Sequence, residues 1–211
     1  MSDIPIKICG LTSPEAVDAA VDAGATHVGF VQYEPSPRHV TLEDASKLRR
    51  RVPEGVKIVM VTVKAQPEQL ARGWDVIKPD VIQFHGSETA QWMELIKKTL
   101  TVETWRSIGL SDEGTLERMK PFQAVVDKML FDAPSKKLPG GNGIAFDWSL
   151  LEGRDDLGDW VLAGGLDADN VADAIRKTGA PMVDASSGVE DSPGVKNPDK
   201  IRAFIDAVRA A

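Results

Sequence analysis

Eight times along this chain a short run of apolar, largely β-branched residues gives way to a longer amphipathic stretch, and this alternation narrows the possible folds more than any other feature. Strands that are apolar at successive positions have both faces covered, and strands joined through helices run parallel. The strand-like runs are 4–9, 27–31, 57–63, 81–84, 102–108, 125–131, 160–163 and 182–184. Helical stretches follow them at 14–23, 41–51, 67–77, 88–98, 112–119, 170–177 and 197–208, with only a short helical piece at 148–151 after the sixth. Ser13 before Pro14 supplies an N-cap and a first-turn proline, and Thr41-Leu42-Glu43-Asp44 resembles a capping box. Eight units of about 26 residues fit a closed α/β barrel, the (βα)8 TIM barrel, better than an open doubly wound sheet, which at this length has five to seven strands. No linker or composition shift divides the chain, so residues 1–211 are expected to form one barrel domain.

Charge removes one class of partner. The net charge of −7 and pI near 5.0 leave no broad basic face for nucleic acid. One cysteine, Cys9, cannot form an internal disulfide, and with only His27, His39 and His85 beside it there are too few ligands for a structural zinc site. The opening MSDIPIKICGLTSPEA has no apolar run of signal-peptide length, and no window approaches the ~18 apolar residues of a membrane span. A soluble, cytoplasmic protein without membrane partners is expected.

In such barrels the chemistry sits at the C-terminal ends of the strands, so unusual residues there carry the functional information. Strand one ends in Lys7-Ile8-Cys9-Gly10. Cys9 reads either as a small buried hydrophobe or as a thiol facing the cavity, and Lys7, two residues earlier on the same face, is expected to lower its pKa. Strand two leads into Glu34-Pro35-Ser36-Pro37-Arg38, where the prolines stiffen the loop and present Arg38 either to a carboxylate or to solvent. Strand six ends at Asp132, a partly desolvated carboxyl suited to general-acid work or else a helix cap. The following loop, 133–143, ends in GGNG and looks like a lid. Strands seven and eight run into Gly164-Gly165 and Ser186-Ser187-Gly188, whose small residues let backbone N–H groups approach a phosphate; two tight structural turns are the alternative.

Six ordered segments, KICGLT, VGFVQYEPSPR, VIQFHG, LFDAPSKKLPGGNGIAFDW, LAGGLDADNV and VDASSGVEDSPGVKNPDKI, resemble the phosphoribosylanthranilate isomerase family along nearly the whole chain. The resemblance implies a single barrel without cofactor or metal that performs an Amadori rearrangement in tryptophan biosynthesis. It further implies Cys9 as general base, Asp132 as general acid and Arg38 beside the anthranilate. Gly164, Gly165, Ser187 and Gly188 would lie on the phosphate loops, and Asp184 would contact the phosphoribosyl substrate. His85 is left between packing and ligand contact. Gln32, the segment from Thr62 to Ala65, and Asn142 depart from the family pattern; the first two are placed where they would reshape the anthranilate side of the pocket. Other phosphosugar barrels would share the phosphate loops but not Cys9 with Asp132, and a non-catalytic phosphoribosyl-binding barrel would show damage at one of the two. Monomer and homodimer are both open.

Overall fold

The computed structural model describes residues 3–134 and 146–211. Strands β1 (Ile6–Cys9), β2 (His27–Gln32), β3 (Lys57–Thr62), β4 (Val81–Phe84), β5 (Glu103–Gly109), β6 (Lys128–Asp132), β7 (Trp160–Leu162) and β8 (Val183–Ala185) close in that order into a parallel barrel. Closure is the pairing of β1 with both β2 and β8, Lys7 standing opposite His27 on one side and Asp184 on the other.

Because strand side chains alternate, one run of sequence builds two cores. Ile6, Ile8, Val28, Phe30, Met60, Ile82 and Phe131 point outward into the layer shared with the helices. Val31, Val59, Val61, Val81, Trp105, Leu130, Val161 and Met182 point inward with Cys9 and fill the barrel. The interior is tight beside Cys9. Gly29 stands opposite it on β2, and a β-carbon there would fall 3.0 Å from the sulfur and 3.3 Å from Lys7 Cε.

Helices α1 (Pro14–Asp22), α2 (Leu42–Arg49), α3 (Pro67–Ile77), α4 (Ala90–Leu100), α5 (Glu113–Gln123), α6 (Val171–Thr178) and α7 (Pro198–Ala210) cover the barrel. Ser13 and Thr41 cap α1 and α2 through their hydroxyls, as their positions imply. After β6 the short helical piece is a 3₁₀ helix, Trp148–Leu151, followed by another at Asp155–Leu157.

Several boundaries differ from expectation, three of them at or near α5, β6 and α4. Helix α5 continues to Gln123 with Pro121 in its final turn, where the missing N–H removes only one bond near the helix end. Strand β6 starts at Lys128 rather than 125, because the amides of Val125 and Val126 turn back onto the Phe122 carbonyl. Helix α4 begins behind Thr89, leaving Glu88 outside it. An antiparallel hairpin, β9 (Glu190–Ser192) with β10 (Val195–Lys196), follows β8 and was not expected.

Candidate active site

A cavity open at its mouth lies at the C-terminal end of the barrel and is lined by Cys9, Arg38, His85, Asp132, Asp184 and Ser186 with Tyr33, Val31, Val61, Val63 and Gln83. Cys9 and Asp132 are the last residues of β1 and β6, and their inward positions follow from the pleat. Arg38 arrives from the β2–α2 loop, and Gly10, held at φ +74°, leaves room for it: a β-carbon there would lie 2.7 Å from Arg38 Cδ.

Charge is concentrated under the cavity floor. Lys7 is fully buried and donates to Asp184 Oδ2 at 2.9 Å. Burial works against its ammonium, but the charges of Asp184 and Cys9 outweigh that and raise the Lys7 pKa. Burial also pushes the Asp184 carboxyl up, against the pull of Lys7. Lys7 does pull the thiol pKa down, as its place on the strand implies, but that pull does not set the net shift. Cys9 is only 8% exposed, and burial, reinforced by Asp184, raises the thiol despite the opposing pull of Lys7 and Lys196.

Asp132 is shifted in the direction expected of it. Burial is the main cause, aided by the Asp184 charge, and together they lift its carboxyl to about 6 against a hydrogen bond from the Ala133 amide at 2.7 Å. His85 Nε2 stands 3.5 Å from Asp132 Oδ2. Burial and the charges of Lys7 and Arg106 hold that imidazole neutral, with a pKa of about 3. His85 therefore faces the cavity rather than packing against a helix.

The two glycine-bearing loops meet beside this cavity. A β-carbon on Gly188 would lie 2.0 Å from the Leu166 carbonyl oxygen, and one on Gly164 would lie 2.4 Å from the Ala133 amide nitrogen. Gly164 and Gly165 adopt φ of +83° and +68°, conformations favoured by glycine alone. Gly164, Gly165, Ser187 and Gly188 adjoin the cavity instead of lining it, and Ser186 connects them to it. Ser187–Val189 forms a short 3₁₀ turn.

Two residues with no role assigned from sequence stand close to the site. Glu190 accepts from Arg38 Nε at 2.8 Å and Nη2 at 2.7 Å, and Lys196 donates to the same carboxylate at 2.6 Å. Both occur in the VDASSGVEDSPGVKN segment, but nothing local in a run of exposed-looking charges signals burial. Gln32 and Thr62 do not line the cavity. The pleat sends Val61 and Val63 inward and Thr62 outward, while the Gln32 amide bonds the Val40 carbonyl at 3.0 Å. Asn142 and the GGNG loop expected to act as a lid lie outside the described residues. Among the described residues no cluster of His, Cys, Asp or Glu could hold a metal ion, and no helix is long and apolar enough to cross a membrane.

A family model described as N-(5'-phosphoribosyl)anthranilate (PRA) isomerase matches residues 6–207. The chain belongs to the phosphoribosylanthranilate isomerase family. A family member from Erythrobacter litoralis is 55% identical over 206 residues, covering 98% of this chain and 99% of the relative, and one from Brucella canis is 44% identical over 211 residues, covering 99% and 95%. The Thermotoga maritima isomerase structure superposes with a TM-score of 0.89 at 32% identity, covering 99% of this chain and all of that one. A second isomerase structure, in complex with reduced 1-(o-carboxyphenylamino)-1-deoxyribulose 5-phosphate, gives 0.86 at 32% identity with the same coverage. The Thermotoga protein is dimeric, and monomers have been generated from it. As a phosphoribosylanthranilate isomerase the chain converts N-(5'-phosphoribosyl)anthranilate to 1-(2-carboxyphenylamino)-1-deoxyribulose 5-phosphate, an aldose–ketose isomerisation of tryptophan biosynthesis.

Proposed function

We propose that Asp132 is the general acid and Cys9 the general base of this isomerisation. The observation that carries the assignment is a buried carboxyl and a thiol facing one cavity from the ends of two different strands of the barrel, burial lifting the carboxyl to about 6. Asp132 gives its proton to the furanose ring oxygen. The C1'–O bond breaks, and the lone pair of the anthranilate nitrogen forms a protonated Schiff base. Cys9 as thiolate then takes the C2' proton, and the electron pair left behind makes the C1'=C2' bond and neutralises the nitrogen, giving an enolamine. The enolamine takes up a proton at C1' and releases its 2'-hydroxyl proton to become the ketone. Between turnovers Cys9 sheds a proton and Asp132 regains one.

Binding is shared among the remaining residues. Arg38 faces the anthranilate carboxylate, and Asp184, anchored by Lys7, contacts the ribose. The backbone of Gly164, Gly165, Ser187 and Gly188 receives the phosphate, which needs no cation because bare amides and a turn N-terminus supply the partial charge. The substrate is thus the partner, no nucleic acid or membrane is engaged, and a thiol base fits a reducing cytoplasm. Single-turnover kinetics test the roles: folded Asp132→Asn and Cys9→Ala should each lose turnover while retaining affinity for the reduced product analogue. Normal turnover in either variant removes that residue from the chemistry. A host lacking this isomerase should regain tryptophan-free growth with the native gene and not with either variant.

A further inference from the structure

We propose that Glu190 and Lys196 are positioning residues that set how strongly the site recognises the carboxylate of the substrate, acting through Arg38. The inference rests on the reading that Arg38 faces that carboxylate. The Glu190 carboxylate grips two nitrogens of the guanidinium, Nε at 2.8 Å and Nη2 at 2.7 Å, which fixes its plane as a single contact would not. A carboxylate placed there would ordinarily cancel the charge Arg38 needs for an anionic substrate. Lys196 prevents this. Its ammonium lies 2.6 Å from Glu190 Oε1, with its side chain only 1% exposed, so the three-residue cluster keeps one net positive charge while the arginine is held rigid.

The cluster is braced on both sides. Lys196 also donates to the Ser186 carbonyl at 2.9 Å and approaches Ser186 Oγ at 3.2 Å, while Ser186 Oγ donates to the Cys9 carbonyl at 3.2 Å. The turn of the β9–β10 hairpin carries Gly194 at φ +86°, where a β-carbon would lie 2.2 Å from the Pro37 carbonyl oxygen. The hairpin thereby presses on the proline-stiffened loop that presents Arg38, and Thr12 Oγ1 donates to the Gly194 carbonyl at 3.2 Å. One short hairpin fixes the arginine next to the strand-eight loop, so the two anionic ends of the substrate are held in register.

The test uses two inhibitors, the reduced product analogue and its counterpart with a plain phenylamino group, and reads the ratio of their inhibition constants. Glu190→Gln should cut the preference for the carboxylated analogue by about tenfold or more, the scale of a lost charge-assisted contact, while leaving the phenylamino analogue within about twofold. Lys196→Met keeps the buried methylenes and should cut the same ratio. If Glu190→Gln does not fold, Glu190→Asp keeps the charge, withdraws it by one methylene and should also lower the ratio. Equal weakening of both analogues, or an unchanged ratio in the folded variants, overturns the proposal. Arg38→Met separates the two levels. If it abolishes the preference while the Glu190 and Lys196 variants leave it intact, only the positioning role fails; if it leaves the preference intact, the reading of Arg38 fails first.

Discussion

Asp132 titrates at about 6, whereas burial lifts the Cys9 thiol above its ordinary 9.0, so the acid of the proposed pair has the lower pKa and the base the higher. The reactive form, carboxyl protonated and thiol ionised, is then the minor tautomer of the state in which the pair holds one proton. Because the thiol has the higher pKa of the two, this form is a small minority of the free enzyme, and the shortfall adds to the barrier relative to a perfectly poised pair. That fraction is constant between the two titrations. The profile of kcat/KM against pH should therefore rise through about 6, stay flat, and fall only above about 9, with the whole plateau scaled down.

The profile alone cannot assign its limbs, so the thiol has to be titrated directly. Cys9 is the only cysteine, and iodoacetamide labelling read by intact mass should speed up with pH without levelling off below about 9. Activity should fall in step with the label, and bound product analogue should slow both equally. In Asp132→Asn the residual activity should lose the lower limb. A labelling midpoint near neutral pH, or a lower limb that persists in Asp132→Asn, would refute the inverted order. A fully labelled enzyme that still turns over would refute the base.

Asp132→Asn should reduce kcat by about 10²–10⁴ with a smaller change in KM. It should also stabilise the fold: because the native pKa of about 6 lies above the unfolded one, Asp132 costs stability as pH rises from about 4 through 6, so the variant should gain on the order of 2–3 kcal/mol in urea melts at pH 8 and nothing at pH 4. His27 has the opposite sign. Its ring packs 5.4 Å from Trp105, and burial lowers its pKa to about 3, so its contribution is present above about pH 6.5 and lost as pH falls toward 3. His27→Leu should flatten that acid loss, and an equally steep decline would show that another group drives it. Gly165→Ala should raise KM more than it lowers kcat, since phosphate grips substrate and transition state alike; normal substrate affinity would move the phosphate elsewhere. Lys7→Met should cost about 3–5 kcal/mol by leaving Asp184 buried without its cation, and a melt within 1 kcal/mol of the parent would mean that Asp184 protonates cheaply instead.

The architecture was legible because what encodes it is local. Eight apolar runs and the caps at Ser13 and Thr41 are properties of neighbouring residues, and the closed barrel follows from their count. The hairpin was missed for the same reason. Two strands of three and two residues, EDS and VK, have no apolar period, and their pairing depends on packing against Pro37 and Ser186 from far along the chain. Cys9, Asp132 and Asp184 could be placed at the cavity because the barrel fixes what a strand end faces. His85 could not be decided until the pleat and the Asp132 carboxylate were seen together.

The electrostatics were the least legible, and Lys7 shows why. Its spacing from Cys9 correctly put ammonium and thiol on one face of β1, but spacing says nothing of how much water either loses. The β8 register brings Asp184 beside Lys7, so part of the ammonium's charge is spent on that carboxylate before it reaches the sulfur. The inner valines and Trp105 exclude the solvent that would otherwise stabilise a thiolate. Both effects come from strands remote in sequence and act in the same direction. The same reasoning bears on the chemistry: a thiol held neutral in the free enzyme is protected from casual oxidation and alkylation. If Cys9 is the base, the pull of Lys7 toward the thiolate would help stabilise the anion once the substrate's C2' proton has become acidic. Under the proposed roles, Lys7 would offset part of the cost of ionising Cys9, and Asp184 would limit how much.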